Sequence, residues 1–472
     1  MKTRLLGFTI PMILAACSLA PVYRVPSTAA IPDGFKEAPG WRVATPADGA
    51  SRGTWWSLLG DPMLDSLEAR ALVSNQNLAA AKAAYDSARA LVREQRAAYL
   101  PTVGLNANAN RPGTFADRGS STVNTSSSAR YVMSLGASWE PDLWGRIGNM
   151  VSEAGASAAA SGADLASATL SVQGELALNY VQLRGIEAQQ VILAATLSDY
   201  EKAVTITTNR YDAGVVARSD VLQAETALHN ARANAADLER QRAILEHAIA
   251  TLVGENASSF TLPNSATPLA VPEVPGVLPA ALMERRPDIA AAERRVAAAN
   301  ASIGIQRAAF FPAIDLSGDA GYSALSTGVL FEATSSVWSL GLTGALALLD
   351  FGARSANVDK ARAAYEQTVA QYRQTVLTAF QQTEDALAAV RVLQQVALER
   401  DASATAATRA EAIARNQYLA GTIGYSDLIV VQTNSLAARS AAAQSVTDRQ
   451  SAAIALLQAI GGDWRTSATA GQ

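Results

Sequence analysis

The sequence predicts an α+β membrane protein in which a unit of helix, strand, strand, long helix and shorter helix is written twice along 472 residues, with strands that need more than one copy to close a barrel. Three observations predict it. One segment recurs at a fixed spacing, short stretches of period-two alternation are set between long alanine-rich runs, and beyond the N-terminus no stretch reaches transmembrane-helix length without charges.

The first residues are an export signal. Lys2 and Arg4 precede an apolar run from Leu5 to Ala16, too short for the roughly 20 residues a membrane-spanning helix needs. The run ends in Leu14-Ala15-Ala16-Cys17, the form of a bacterial lipobox, whose cysteine is diacylated on sulfur and becomes the new N-terminus. Cys17 is also the only cysteine, so it has no disulfide partner; the alternative is a core cysteine beside an ordinary cleavage site. Ser18, rather than Asp, follows it, which implies transfer to the outer membrane. Composition narrows the class further. The formal charge of −4 falls to −6 once Lys2 and Arg4 leave, which gives nucleic acid no footprint. Apolar content of 49% with only 6% aromatics reflects alanine, which favours long, closely approaching helices.

The repeat then sets the element order. Residues 77–101 align with 288–312 at an offset of 211, with ten of 25 positions identical and Gln95-Arg96-Ala97-Ala98-Tyr99-Leu100-Pro101 matching Gln306-Arg307-Ala308-Ala309-Phe310-Phe311-Pro312. Further on the offset is 207: Tyr211, Ala213, Gly214, Ser219 and Asp220 match Tyr418, Ala420, Gly421, Ser426 and Asp427. The four residues lost lie between Pro101 and Trp144, where an exposed connection tolerates them. In each half a helical stretch (62–100 and 279–311) stops at a proline, so Pro101 and Pro312 mark helix–strand junctions. Two strands follow. Val103, Leu105, Ala107 and Ala109 alternate with Gly104, Asn106, Asn108 and Asn110, and Tyr131, Met133, Leu135, Ala137 and Trp139 form the next apolar set. The second copy offers Ile314, Leu316, Gly318 and Ala320, then Trp338, Leu340, Leu342, Gly344 and Leu346. Strands of about nine residues with one polar face suit a wet-lumened transmembrane barrel, or taken alone a soluble antiparallel sheet.

Long helices are predicted over 146–209 and 353–417, with apolar steps of three and four that make a coiled-coil seam. A Tyr-x-Ala-Gly turn reverses each into a shorter helix, 219–253 or 426–460, with Gly254 or Gly461 at its end and Gly214 and Gly421 at φ > 0 in the turns. At 1.5 Å per residue the long helix measures roughly 95 Å and each short one roughly 50–55 Å. Two short helices stacked end to end therefore match one long one, and four strands per chain are too few to close a barrel. The resulting organisation is a signal peptide (1–16), an acylated extended segment (17–54), repeat one (55–262), a linker (263–278), repeat two (279–462) and a flexible tail (463–472).

A family resemblance rests on ordered motifs: Trp55-Trp56 with Asp61-Pro62-Met63-Leu64, Asn77-Leu78, the two Gln-Arg-Ala-Ala segments, Asp142-Leu143-Trp144-Gly145-Arg146, Arg285-Arg286-Pro287-Asp288-Ile289 and Tyr-x-x-Gly-x-x-x-x-Ser-Asp twice. Together, over residues 55–464, they resemble an outer-membrane factor of the TolC superfamily, NodT-like lipoprotein branch. The resemblance implies a homotrimer whose 12-stranded β-barrel is continuous with a long periplasmic α-helical barrel. It implies a passive exit duct in the outer membrane, served by a periplasmic adaptor and an inner-membrane pump of the resistance-nodulation-division class.

The same resemblance implies a periplasmic gate at Asp427 and Asp220, with Arg218, Tyr211 and Tyr418 as link candidates. Ile423 and Val430 depart from the family's pattern of a link arginine and a second acid. A structural reading competes, since Asp220-Val221-Leu222-Gln223 has capping-box form and Asp is a preferred N-cap. Trp139 and Trp144 suit either an interfacial aromatic belt or ordinary packing. The Ser/Thr-rich loop 111–130 is expected to be extracellular. His229 and His247 lie 18 residues apart with no ligand constellation around them, and no phosphate-binding loop occurs, so no metal, no enzyme activity and no cofactor beyond covalent lipid on Cys17 is expected. The alternatives are a periplasmic adaptor, a structural coiled-coil lipoprotein or a type I protein-secretion duct.

Overall fold

The computed structural model describes residues 18–27, 53–112, 129–265, 269–272 and 286–462. The signal peptide, Cys17, most of the 17–54 segment, most of loop 111–130 and the tail lie outside these residues. The helices are α1 (Pro62–Ser74), α2 (Gln76–Ala97), α3 (Arg146–Asp212), α4 (Arg218–Leu252), α5 (Pro287–Ala308), α6 (Ala353–Leu419) and α7 (Tyr425–Ala459). The strands are β1 (Thr102–Asn110), β2 (Arg130–Trp139), β3 (Ala313–Ala324) and β4 (Ser336–Ala345). Two compact units result, and each draws on both repeats: one takes the chain through Ser27 with Ala84–Ser161 and Ala292–Tyr372, the other the remainder.

In the first unit the four strands make one antiparallel sheet in the order β1-β2-β3-β4. The register joins the alternation of single strands into two faces. Leu105 pairs with Leu135, Leu135 with Ala320 and Ala320 with Trp338, a continuous apolar row, while Asn106 pairs with Ser134, Ser134 with Gly321 and Gly321 with Val337 on the other side. The apolar face is uncovered: Trp338 is 81% exposed and Leu340 and Leu342 each 72%. β1 and β4 have no strand partner on their outer sides among the described residues.

The junction prolines sit where predicted. α2 and α5 end short of them in tight i to i+3 turns, with Leu100 N donating to Ala97 O and Phe311 N to Ala308 O. Trp144 stacks on Phe311, ring centroids 4.7 Å apart, and its Nε1 donates to Pro312 O at 2.8 Å. Trp139 Nε1 donates to Tyr99 O at 2.9 Å. Both tryptophans thus pack on helix–strand junctions, where belt residues also sit.

In the second unit the long helices carry the core. Val172, Leu176, Leu183, Leu193 and Tyr200 of the predicted seam are all buried. Gly174 and Gly185, eleven residues apart on one face of α3, lie against Gln458 and Thr447 of α7, where a side chain on either glycine would collide. α3 and α6 reach 67 residues each. Both run past the predicted ends to Asp212 and Leu419 because the reversing glycines, not the preceding residues, stop them.

One correction concerns the first helix. Residues 62–100 do not form a single helix: Asn75 is extended, with φ −66° and ψ 123°, and separates α1 from α2. Asn75 Oδ1 accepts from Leu78 N at 3.1 Å, an N-cap for α2. Its Nδ2 donates to Leu252 O at the end of α4, 2.8 Å away. Arg286, the repeat equivalent of Asn75, donates to Ala459 O at the end of α7 at 3.0 Å. Each short helix therefore ends against the start of another, and a polar side chain satisfies the orphan carbonyls at the joint. At both joints the last residues of one short helix meet the first residues of another.

Candidate gate and channel face

Two reversing turns carry the predicted gate residues. At the end of α3, Val215 N donates to Arg210 O and Gly214 N to Tyr211 O, both at 2.8 Å; at the end of α6, Thr422 N donates to Gln417 O at 2.9 Å and Gly421 N to Tyr418 O at 3.0 Å. These nested bonds require a left-handed residue, supplied by Gly214 (φ 72°) and Gly421 (φ 74°).

Below the turns a small core of Ala203, Ala224, Ala414, Tyr418, Tyr425 and Leu428 packs the two hairpins together. Tyr418 and Tyr425 meet edge to face at 5.8 Å. Burial pushes both hydroxyls above the ordinary tyrosine range, and at Tyr418 the Arg210 charge opposes that shift. Arg210 places its guanidinium 4.6 Å from the Tyr418 ring centre and donates to Tyr418 O at 3.2 Å and Leu419 O at 3.3 Å. A cation there also sits favourably against the C-terminal carbonyls of α6.

The link candidates separate. Tyr418 is 3% exposed, whereas its repeat equivalent Tyr211 is 40% exposed. Arg218, the first residue of α4, is exposed. The contact between the two turns is made instead by Arg210, which the sequence reading missed because an arginine in a last helical turn carries no pattern of its own.

The capping alternative for the aspartates is corrected. The N-caps are Ala217 for α4 and Gly424 for α7, neither with a side-chain cap bond. Asp220 and Asp427 are instead the third residues of their helices, partly exposed and exposed respectively. In the first turn their charge complements the helix dipole without capping it. Two first-turn carboxylates per chain stay at the surface beside the turns.

A second feature is a sheet with two unlike faces. The polar side of the sheet carries Asn106, Asn108, Ser134, Ser317, Asp315 and Asp319, and the apolar side is bare. No described helix is long and apolar enough to cross a membrane. A two-faced sheet whose edge strands have no strand partner among the described residues, in a chain with two 67-residue helices, fits an outer-membrane channel protein.

Comparison with known proteins gives the family. The model for outer membrane efflux proteins matches residues 67–255 and 278–462, and the chain belongs to that family. It is 31% identical over 457 residues to outer membrane protein OprJ of Pseudomonas aeruginosa, covering 96% of this chain and 95% of that one. It is 30% identical over 459 residues to the probable efflux pump outer membrane protein TtgC of Pseudomonas putida, covering 96% and 94%. Among solved structures, the outer-membrane channel OprN superposes with a TM-score of 0.85 at 30% identity over 95% of this chain and all of that one. CusC superposes with a TM-score of 0.84 at 25% identity over the same shares. The protein is an outer-membrane exit duct of efflux systems, a transport channel and not an enzyme.

Proposed function

We propose that three copies close a twelve-stranded barrel and that the resulting duct is lipid-anchored, gated at its two hairpin turns and served by a periplasmic adaptor and a resistance-nodulation-division pump that moves small molecules. The observation that carries this reading is the four-stranded sheet, with two chemically distinct faces and two edge strands that have no strand partner among the described residues. An edge of unpaired backbone groups in lipid costs several kcal/mol per group, so closure must come from further copies. Heat-modifiable trimers in isolated outer membranes are the expected result, and a monomer would sink the reading. Relatives of near-equal identity are named for toluene efflux and for pyoverdine export. That spread of names supports a reading in which the pump, rather than the duct, chooses the substrate.

The lipid anchor is supported by where the chain emerges. Ser18 Oγ donates to Asn149 Oδ1 at 3.0 Å, Arg307 Nη1 to Leu19 O at 3.1 Å and Asn300 Nδ2 to Pro21 O at 2.8 Å. These bonds pin the residue after Cys17 one helical turn from the start of α3, which follows β2, and so at the end of the chain that this reading sets at the bilayer. Radiolabelled palmitate is expected to label the wild type and not Cys17→Ala; equal labelling of both would remove the anchor.

For the gate, six carboxylates from Asp220 and Asp427 of three copies line the narrow end, and the Arg210–Tyr418 contact holds neighbouring hairpins together. In planar bilayers Asp427→Ala is expected to change conductance and reduce cation preference. Unchanged values for both would reject Asp427 as a gate residue.

A further inference from the structure

The connection between β3 and β4 is folded, and it lies to one side of the sheet. Residues 325–335 contain two single 3₁₀ turns, Thr327–Val329 and Ala333–Ser335. Ser326 Oγ accepts from Gly328 N at 3.3 Å, and Glu332 N donates to Val329 O at 3.2 Å. Ser335 donates twice, through N to Glu332 O at 2.9 Å and through Oγ to Val329 O at 2.7 Å. The bonds turn the backbone in on itself, while the large apolar side chains Leu325, Val329 and Phe331 stay exposed. Glu332 is the one charged residue in the stretch.

Face parity fixes the side. Tyr322 pairs with Met133 of β2 and Ser336 of β4, two residues along from the row of Leu135, Ala320 and Trp338, so it belongs to the apolar face. The Phe331 ring meets Tyr322 edge to face with centroids 5.7 Å apart. A ring folded over the opposite face would meet Asn108, Val132 and Ser323 instead. Phe331 is nevertheless 67% exposed, so one aromatic edge is covered and the rest is bare.

The height of the apolar face says what covers it. The rows from Ile314 to Tyr322 run roughly 26 Å along β3 at about 3.3 Å per residue, and a strand tilt of about 40° leaves about 20 Å along the membrane normal. An outer-membrane barrel presents an apolar band about 25 Å tall. The next row up holds Ala324, the one strand residue that is buried. Phe331, seated on Tyr322, supplies the missing layer and is continuous with the bare leucines below it.

We infer that the β3–β4 connection is a lipid-seated loop, in which Phe331 extends the bilayer-facing surface into the outer leaflet and the pore mouth is left uncapped by it. The inference rests on the closed-barrel reading, which sets the apolar face in lipid, and adds a loop that the barrel alone does not place. Its partner is the boundary between headgroups and acyl chains, where aromatic rings are favoured and the neighbouring Glu332 carboxylate reaches water.

The test uses the full-length acylated chain, in which the thioether at Cys17 leaves an introduced cysteine as the only thiol. Phe331→Cys, Ser323→Cys on the polar face and Leu340→Cys at the middle of the apolar face are each labelled with bimane. The labelled proteins are reconstituted in vesicles of phosphatidylcholine brominated near the head of its acyl chains. Bromine is expected to quench the labels at 331 and 340 roughly threefold more than the label at 323, because lipid-facing and lumen-facing positions alternate. Aqueous iodide is expected to quench the label at 323 instead. If iodide rather than bromine quenches at 331 while bromine still quenches at 340, the loop stands in water, the inference is overturned and the barrel stands. If bromine spares 340 as well, the closed-barrel reading fails with it. Protection of 331 from both quenchers would mean that another copy covers Phe331, and would overturn lipid as the partner. In planar bilayers Phe331→Ala is expected to leave single-channel conductance unchanged. A rise would place the ring over the mouth and reject the lipid seat.

Discussion

Glu187→Ala is expected to destabilise the protein by about 3–5 kcal/mol, the cost of leaving buried charge without its partner. Glu187 is 5% exposed and accepts from Arg184 at 2.6 Å, from Arg242 Nε at 3.0 Å and from Ser265 N at 3.3 Å. The two arginines continue the network. Arg184 donates to Pro263 O at 3.0 Å and to the Tyr180 hydroxyl at 2.8 Å, and Arg242 donates to Leu262 O at 2.7 Å. Removing the carboxylate strips buried Arg184 of its carboxylate partner, leaves Arg242 with Glu246 alone at 3.2 Å, and releases the segment that leads out of repeat one. The measurement is the unfolding midpoint of the purified protein, with Glu187→Gln as an intermediate, because an amide keeps an acceptor while losing the charge. Limited proteolysis around residues 262–265 is expected to accelerate in the alanine variant. A loss below about 1 kcal/mol would mean that the network behaves as a solvated surface pair.

The architecture was legible in the sequence where one physical period dominated. Period-two alternation placed β1 to the residue, because Asn and Gly on one face and Val, Leu and Ala on the other leave one way to orient the strand. The Tyr-x-Ala-Gly turns and junction prolines were legible because Gly214, Gly421, Pro101 and Pro312 each supply a backbone conformation that few residues adopt. Helix lengths implied the stacked joints, but not the residues that make them. Asn75 and Arg286 hold equivalent positions with unlike side chains, so no repeat pattern exposed their shared role. The site was less legible than the fold for a related reason. Tyr211 and Tyr418 match in sequence, yet burial separates them because only Tyr418 lies where the two hairpins of one chain meet. A duplicated sequence specifies equivalent surfaces and leaves to the assembly which of them are covered.

Glu68 leads to the opposite expectation from Glu187: Glu68→Gln is expected to stabilise the protein at neutral pH by about 3 kcal/mol, at roughly 1.4 kcal/mol per unit of pKa shift. Glu68 lies on α1 within the main core of the second unit, fully buried, and neither of its carboxylate oxygens meets a hydrogen-bond donor among the described residues. Burial foremost, and the nearby charge of Asp65 in addition, push its carboxyl from 4.5 up to about 9. A carboxyl raised in this way is protonated in the folded chain and ionised in the unfolded chain between those two pH values. The folded state then binds the extra proton, so stability falls as pH rises from about 4.5 and stops falling above about 9. Glutamine fills the same volume without ionising and removes that slope. Unfolding midpoints of wild type and variant are therefore expected to coincide near pH 4.5, to diverge steadily through pH 7 and to run parallel above pH 9. A difference that stays constant across this range would show that Glu68 keeps an ordinary carboxylate and that solvent reaches it. The core around α1 would then be open to water at a point where its leucines, Leu64 and Leu67, are closed to it.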